Sequence, residues 1–303
     1  VAPLTANTFV PTAQPSALPN PALREQALRA LGGLPPFSPI LNRILATLAG
    51  EEASFSKLAD LIEKDTVVAG NILHLINSAL YARRGTINSV RHAISLLGVN
   101  KVRNAVLGMS VTRMWHQVRP ASSWSMARFN LHSAATAMLS DMLAPRLPVQ
   151  YPEGAFVAGL MHDVGRLLIA VGLPAECDRI VADQRSNRRS AAESELAILG
   201  FTHAELSAQA LAVWKLPEPI QAAVRDHHAP PDTGRSGELP LGWILAAADQ
   251  YVHSTGVSIL PQPAGSAKPD LSPLMGLGLD KDRVQKLVDE FQIEFDAMTP
   301  FFR

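Results

Sequence analysis

Cysteine is nearly missing from this chain: Cys177 is the one thiol in 303 residues, so no internal disulfide can form and no cysteine-rich zinc site is available. A lone thiol suits a reducing compartment, and a cytoplasmic location is the expectation. No run approaches the roughly 18 uninterrupted apolar residues of a membrane span, and the first residues lack the basic flank and apolar core of a signal peptide. A membrane is therefore not an expected partner. Net charge is absent too: 27 Lys plus Arg balance 27 Asp plus Glu, which removes any global pull toward nucleic acid or an acidic surface. Aromatic residues make up only 6%, and Trp115, Trp124, Trp214 and Trp243 are scattered like packing residues rather than grouped as a base-stacking platform. There is no Gly-rich phosphate cradle of the P-loop or dinucleotide type, and no Gly-x-Ser-x-Gly nucleophile turn.

What is present is helix. A hydrophobic content of 47% over this length can bury one large core or two smaller ones. Residues 1–20 are rich in Pro, Ala and Thr without a charged side chain or a periodic face, and read as a flexible tail or linker. Beyond them, "PILNRILATLAG" repeats Ile40, Leu41, Ile44, Leu45 and Leu48 at helical spacing, with Gly50 as the stop. "SFSKLADLIEKD" and "VVAGNILHLINSALY" continue the pattern, with Asn77 and Ser78 expected to bond backbone at the helix end. In "SVRHAISLLGVNKVRNAVLG", Ser89 is placed to cap a helix ending at Gly98, and Asn100 to cap the next. "PEGAFVAGLMHDVGRLLIAVG" reads as a single apolar helix, and "DKDRVQKLVDEFQIEFDAM" as an amphipathic one beginning near Asp280. No stretch alternates with period two. The expected fold class is all-α, with an N-terminal helical subdomain over 21–120 packed on a helical bundle over 121–260, followed by a loop and C-terminal helix over 261–303.

The chemistry-bearing residues gather in the second block. His132, the pair His162 and Asp163, His203, the pair His227 and His228, and Asp249 lie among inward positions otherwise filled by Ala, Leu, Ile and Val. Imidazole nitrogen and carboxylate oxygen are ligands for iron, manganese, zinc and nickel, and a helical protein can assemble one site from several helices. Each residue alone has a plainer account. His227 and His228 end a helix, where an imidazolium meets the negative end of the dipole, and Asp249 can pair with His253 one turn later. Jointly, the plainer accounts must place seven such residues within about 120 positions by chance, and a divalent transition-metal site is the alternative.

The order His, His-Asp, His, His-His, Asp resembles the HD superfamily of metal-dependent phosphohydrolases. More narrowly, "LPPFSPILNRIL", "LADLIEKDTVVAGNILHLINSALY", "INSVRHAISLLG" and "AFVAGLMHDVGRLL" resemble the HDOD family, the HD-related output domain of bacterial signalling proteins, over 34–251. The resemblance implies an HD-type bundle in which His132, His162, Asp163 and Asp249 hold a metal, with His203, His227 and His228 completing a second site. It also implies an output or scaffold role among other signalling proteins, with little or no catalysis. The alternative it allows is a phosphohydrolase acting on a nucleotide or other phosphoester, with Arg166 and Arg128 holding phosphate. Two features depart from the catalytic pattern: Arg166 stands where the hydrolases usually have lysine, and "HHAPPDTGRSG" lacks the Gly-Tyr-Pro that follows the His-His pair in cyclic-dinucleotide phosphodiesterases.

One imbalance sits apart from these motifs. Residues 66–140 contain no Asp or Glu, yet carry Arg83, Arg84, Arg91, Lys101, Arg103, Arg113, Arg119 and Arg128. Two readings stay open. Either these cations pair with acids of the second block, or Arg83, Arg84 and Arg91 line a groove for an anionic ligand, with nucleic acid the weakest candidate.

Overall fold

The computed structural model describes residues 20–47, 55–78, 81, 86–230, 237–260 and 268–302. The expected tail over 1–19, the Gly50 stop, and Arg83 and Arg84 lie outside the described residues. The helices are α1 (Pro21–Arg29), α2 (Pro39–Thr47), α3 (Phe55–Glu63), α4 (Thr66–Ile76), α5 (Val90–Leu97), α6 (Val99–Trp115), α7 (Met126–Leu143) and α8 (Ala155–Met161). They continue as α9 (Val164–Gly172), α10 (Pro174–Asn187), α11 (Ala191–Leu199), α12 (His203–Val213), α13 (Glu218–Asp226), α14 (Leu241–Ser254), α15 (Ser272–Met275) and α16 (Lys281–Met298). Among the described residues there is no strand, only an isolated parallel bridge between Val149 and Leu239. The all-α expectation holds.

The first helices pack as their spacing predicts. Ile40, Leu41, Ile44 and Leu45 of α2 are buried, as are Val68, Ile72, Leu75 and Ile76 of α4 and Val90 and Ile94 of α5. These helices gather around α6, which is buried along nearly its whole length and also packs against α7. The metal-ligand candidates sit beyond it, within α7, α12 and α14, at the joint of α8 and α9, and just after α13, helices that pack on one another. Helix α1 lies against α9 and α12, where Arg24 pairs with Glu205 and the Gln26 amide donates to Gly172 O at 3.0 Å. Helix α16 begins as read: the Asp280 carboxylate caps it, accepting from Arg283 N at 2.8 Å, and its buried face lies on α7. Pro152–Gly172 is long and apolar enough to cross a membrane by composition, but 89% of that apolar window is buried inside the protein, as in a core helix.

Several local expectations need correction. Ser89 does cap α5, accepting from His92 N at 3.4 Å, but Asn100 does not cap α6. Gly98, with φ of 87°, turns α5 directly into α6, so the cap falls on a residue without a side chain and Asn100 lies inside the first turn. At the end of α4, Asn77 clamps the chain, bonding Leu73 O, Ile87 O and Ile87 N at 2.7–2.9 Å, whereas the Ser78 hydroxyl is buried without a partner. The segment 155–172 is two helices, broken at His162 and Asp163. Arg166 N closes a tight turn onto Asp163 O at 2.9 Å, and Gly165 N donates to the Ser207 hydroxyl at 2.8 Å.

The basic stretch finds partners, the expected second-block acids among them for Arg103, whose charge faces Asp141 and Glu153. Arg91 pairs with Asp60 and with Glu63, and Arg113 lies 3.7 Å from Asp65, all acids of the first block; Lys101 reaches Glu294 of α16 at 2.7 Å. The acid-free stretch is thus balanced by the residues just before it, by Asp141 and Glu153 of the second block, and by the C-terminal helix.

Candidate metal centre

The break at His162 and Asp163 answers why an imidazole and a carboxylate occupy an apolar segment. They do not sit on a helix face but at a joint, and there they meet five other polar side chains. His132 projects from the middle of α7, His203 opens α12, His227 and His228 follow α13, and Asp249 lies in α14. His132 Nε2 is 3.0 Å from Asp249 Oδ1 and 3.6 Å from Asp163 Oδ2. His162 Nε2 lies 3.4 Å from Asp163 Oδ2 and 3.6 Å from Asp249 Oδ1. His203 Nε2 is 3.1 Å from Asp163 Oδ1 and 2.8 Å from His228 Nε2. The rings of His162 and His227 meet edge to face at 5.1 Å, which joins the two halves of the cluster.

All seven residues read from the sequence are therefore brought together. They form three overlapping groups whose ligand atoms lie within 4.8 Å of one another: His132, His162 and Asp163; His162, His227 and Asp249; and His203, His227 and His228. Six are largely removed from solvent, with Asp249 keeping 14% of its side chain exposed, while His228 keeps surface at the rim but turns its ring inward against those of His203 and His227.

Backbone carbonyls set the tautomers. His132 Nδ1 faces Val257 O at 2.9 Å, His162 Nδ1 faces Gly159 O at 2.8 Å, and His227 Nδ1 faces Val224 O at 2.6 Å. A carbonyl can only accept, so each Nδ1 carries the proton, and in the neutral ring the Nε2 lone pair points into the cluster. His162 Nε2 and His227 Nε2 are buried without a hydrogen-bond partner. A polar atom left so costs about 1–3 kcal/mol unless something fills the need. The donor set of imidazole nitrogens and carboxylate oxygens suits a borderline divalent ion, so the residues fit the group that the resemblance implies.

Electrostatics divides the cluster in two. Burial pushes the Asp163 carboxyl up, but His162, Arg166 and His203 overcome it and hold it well below the usual carboxylate range. Burial likewise opposes ionisation of Asp249, which His132 at 3.0 Å and the nearby His162 ring together hold well below the usual carboxylate range. Burial pulls His203 down, yet Glu195 and Asp163 carry it up to about 9, so its ring is an imidazolium at neutral pH. For His162 the pull of burial is outweighed by Asp163 and Asp249, and its value rises. Burial and the neighbouring rings drive His227 well below the ordinary imidazole value, and burial with His203 takes His228 down to about 4. The pair at the end of α13 is thus neutral, and the helix-end imidazolium account fails.

One participant escaped the sequence reading. Glu195, 2% exposed on α11, accepts from both Nδ1 and the backbone N of His203 and stands 4.0 Å from Arg166 Nε. A carboxylate behind a ligand histidine fixes its orientation and raises its basicity. The available signal was an acid in "ESELAILG" on the same helical face as Ile198 and Leu199. Arg166 reaches Asp163 Oδ2 at 3.4 Å with 16% of its side chain exposed. Arg128 donates to Ser258 O at 3.2 Å, next to the Val257 carbonyl that orients His132, and so lies outside the ligand cluster. Asp249 bonds His132 rather than standing only as a partner for His253.

With fold and cluster in view, comparison with known proteins gives the family. The chain belongs to the HDOD domain family, whose model matches residues 34–230. It is similar in structure to a Geobacter sulfurreducens HDOD domain protein of unknown function, with a TM-score of 0.72 and 22% identity over 92% of this chain and 97% of that one. It is similar also to a candidate phosphohydrolase of Shewanella amazonensis SB2B (TM-score 0.69, 21% identity, 92% and 98% covered). A candidate signal-transduction protein of Marinobacter aquaeolei VT8 gives a TM-score of 0.68 at 22% identity, covering 93% of this chain and 66% of that chain. At such identities the likeness is one of fold. An uncharacterized protein of Treponema pallidum (strain Nichols) is 19% identical over 199 residues, and the match spans 62% of this chain but only 36% of that relative's length.

Proposed function

We propose that this chain is a cytoplasmic output or scaffold module of bacterial signalling that keeps a divalent transition-metal site and works through other signalling proteins, with little or no catalysis. His132, His162, Asp163 and Asp249 would hold one ion, and His203, His227 and His228 a second. The observation that carries the reading is the set of Nε2 lone pairs aimed inward by backbone carbonyls, two of them unpartnered. When bound, such an ion stabilises the folded state by mass action and can polarise a phosphoryl oxygen. The chain's own part is to hold the rings in one tautomer, to keep Asp163 and Asp249 ionised, and to neutralise Asp163 through Arg166.

The test is elemental analysis of protein purified without chelator, beside a His162→Ala, Asp163→Ala double variant. Iron, manganese, zinc or nickel near one or two equivalents in the parent, lost in the variant, is expected. Absence of metal from the parent, even after incubation with each ion, overturns the reading. The full ligand set also favours a second reading, a phosphohydrolase acting on a nucleotide or other phosphoester. Turnover of generic phosphoesters by the metal-loaded protein, abolished in the double variant, would select it. The nucleic-acid reading loses support because Arg91, Arg113 and Lys101 already face carboxylates. The anion groove around Arg91 would have to displace Asp60 and Glu63 first.

A further inference from the structure

We propose that α1 is a detachable strap that steadies α9 against α12 and, through them, regulates the cluster; what concerns metal here rests on the function proposed above. The helix lies before residue 34, where the match to the family model begins. It rests on the two helices whose contact brings Asp163 within 3.1 Å of His203. Three contacts make its seat. The Arg24 guanidinium pairs with Glu205, in the first turn of α12, and lies over the Phe201 ring, 5.1 Å from its centre. The Gln26 amide donates to Gly172 O, at the end of α9, at 3.0 Å. Ala27 is fully buried, and a Cβ on Gly172 would lie 3.1 Å from its Cα, 3.2 Å from Ala30 Cβ and 3.2 Å from Gln26 O. Those neighbours all belong to α1 and the turn that follows it, so the missing side chain at 172 makes room for the strap.

The seat is close but lightly held. Of the nine residues of α1 only Ala27 is fully buried, and the Arg24 and Glu205 side chains keep 31% and 41% of their surface in solvent, where an ion pair contributes little. The turn Ala30–Gly33 tethers the helix, and Gly32 and Gly33 have nothing within 4 Å of the position a Cβ would take, which suits a hinge. A helix this short is marginal by itself, so release from the seat also melts it. A segment with so few buried contacts opens at a cost well below that of global unfolding. While seated, α1 bridges Gly172 of α9 to Glu205 of α12, adding a second tie to the Gly165 N bond on the Ser207 hydroxyl. Release removes that tie and leaves the spacing of α9 and α12, and with it that of Asp163 and His203, less firmly set. The coupling is reciprocal: an ion held by the cluster must hold the strap down by the same factor that the strap adds to its affinity.

The experiment measures amide hydrogen exchange and metal affinity on the full chain, in the parent and in Gly172→Val, Arg24→Gln and Arg29→Gln. In the chelated parent, amides of residues 24–29 should exchange at least about tenfold faster than those of α9, without global unfolding. Gly172→Val fills the seat without changing charge; it should strip α1 of protection and lower that of the Gly165 amide about fivefold or more. Arg24→Gln should act in the same direction, whereas Arg29→Gln loses the same charge but only a pair within α1, and should match the parent. Metal affinity should fall about fivefold or more in Gly172→Val, and metal should slow exchange of α1 in the parent by a like factor. The proposal is overturned if α1 exchanges only with global unfolding, if the Gly165 amide keeps its protection in folded Gly172→Val, or if that variant binds metal as the parent does. Where Gly172→Val does not fold, equal Gly165 protection in Arg24→Gln and Arg29→Gln overturns it. A parent that takes up no metal defeats the function proposed above, and the Gly165 amide then still decides the strap.

Discussion

The Glu195 carboxylate takes two hydrogen bonds from one residue: its Oε2 lies 2.6 Å from His203 Nδ1 and 2.7 Å from His203 N. The pair pins the first turn of α12 and the ring it carries, at 2% and 0% exposure. Glu195→Gln can keep one oxygen accepting from both N–H groups but removes the charge. The His203 ring should then titrate well below its value of about 9, because Glu195 is the strongest influence raising it. Metal affinity should fall by about 10–100-fold, the usual cost of losing a partner behind a ligand histidine. Histidine proton shifts followed against pH, together with a competition assay for the metal, check both. Unchanged values on both counts would remove Glu195 from the site.

Stability of the metal-free protein should peak near pH 6.5. His203 has its folded value raised from 6.5 to about 9, so its contribution is complete below about 6.5 and fades as pH climbs through about 9. His227 and His228 are depressed, His228 to about 4, so the unfolded chain binds more protons than the fold below about 6.5 and stability falls toward acid. Melting temperatures from pH 5 to 9.5 in chelator should trace a dome. Added metal should move the optimum upward, since His203 must lose its proton to become a ligand. A flat alkaline side without metal would show that the Glu195 to His203 pair contributes nothing.

The membership of the cluster was legible because it depends on residue type: seven imidazoles and carboxylates at inward positions announce themselves, and all seven meet. The joint between α8 and α9 was not. Residues 155–172 are apolar throughout apart from the motif, so periodicity continues the helix across His162. What breaks it is tertiary, the fit of Gly165 against α12. Glu195 was hidden for a similar reason, since its partner lies eight residues on, across a loop and on another helix. The return of α1 onto α9 and α12 leaves no local mark at all, whereas the Asp280 cap of α16 depends only on neighbours in sequence and could be read directly.

Cys177 should be inert in the folded protein. It is 5% exposed, and burial pushes its thiol up to about 11, so almost no thiolate exists at neutral pH. Reaction with a thiol reagent at pH 7.5 should therefore require unfolding, and its rate in denaturant should follow the unfolded fraction. Fast stoichiometric labelling of the native chain would mean that the segment around α10 opens readily.

Two glycine substitutions separate a close approach that the site depends on from ordinary helix propensity. At Gly165 a Cβ would lie 2.1 Å from His203 O and 2.8 Å from Ser207 N, both backbone atoms that cannot swing aside. Gly165→Ala must push α9 off α12, breaking the Gly165 N to Ser207 bond and separating Asp163 from His203. Such overpacking costs about 1–3 kcal/mol, and the lost hydrogen bond adds to it. Gly70, inside α4, has nothing within 4 Å of the position a Cβ would take. There alanine should stabilise by about 0.5–1 kcal/mol through helix propensity alone. Denaturant melts measured side by side should move in opposite directions. Metal affinity should fall in Gly165→Ala even at temperatures where that variant is fully folded, and should be unchanged in Gly70→Ala. Equal metal affinity in the two folded variants would mean that the α9 to α12 contact does not set the distance between Asp163 and His203.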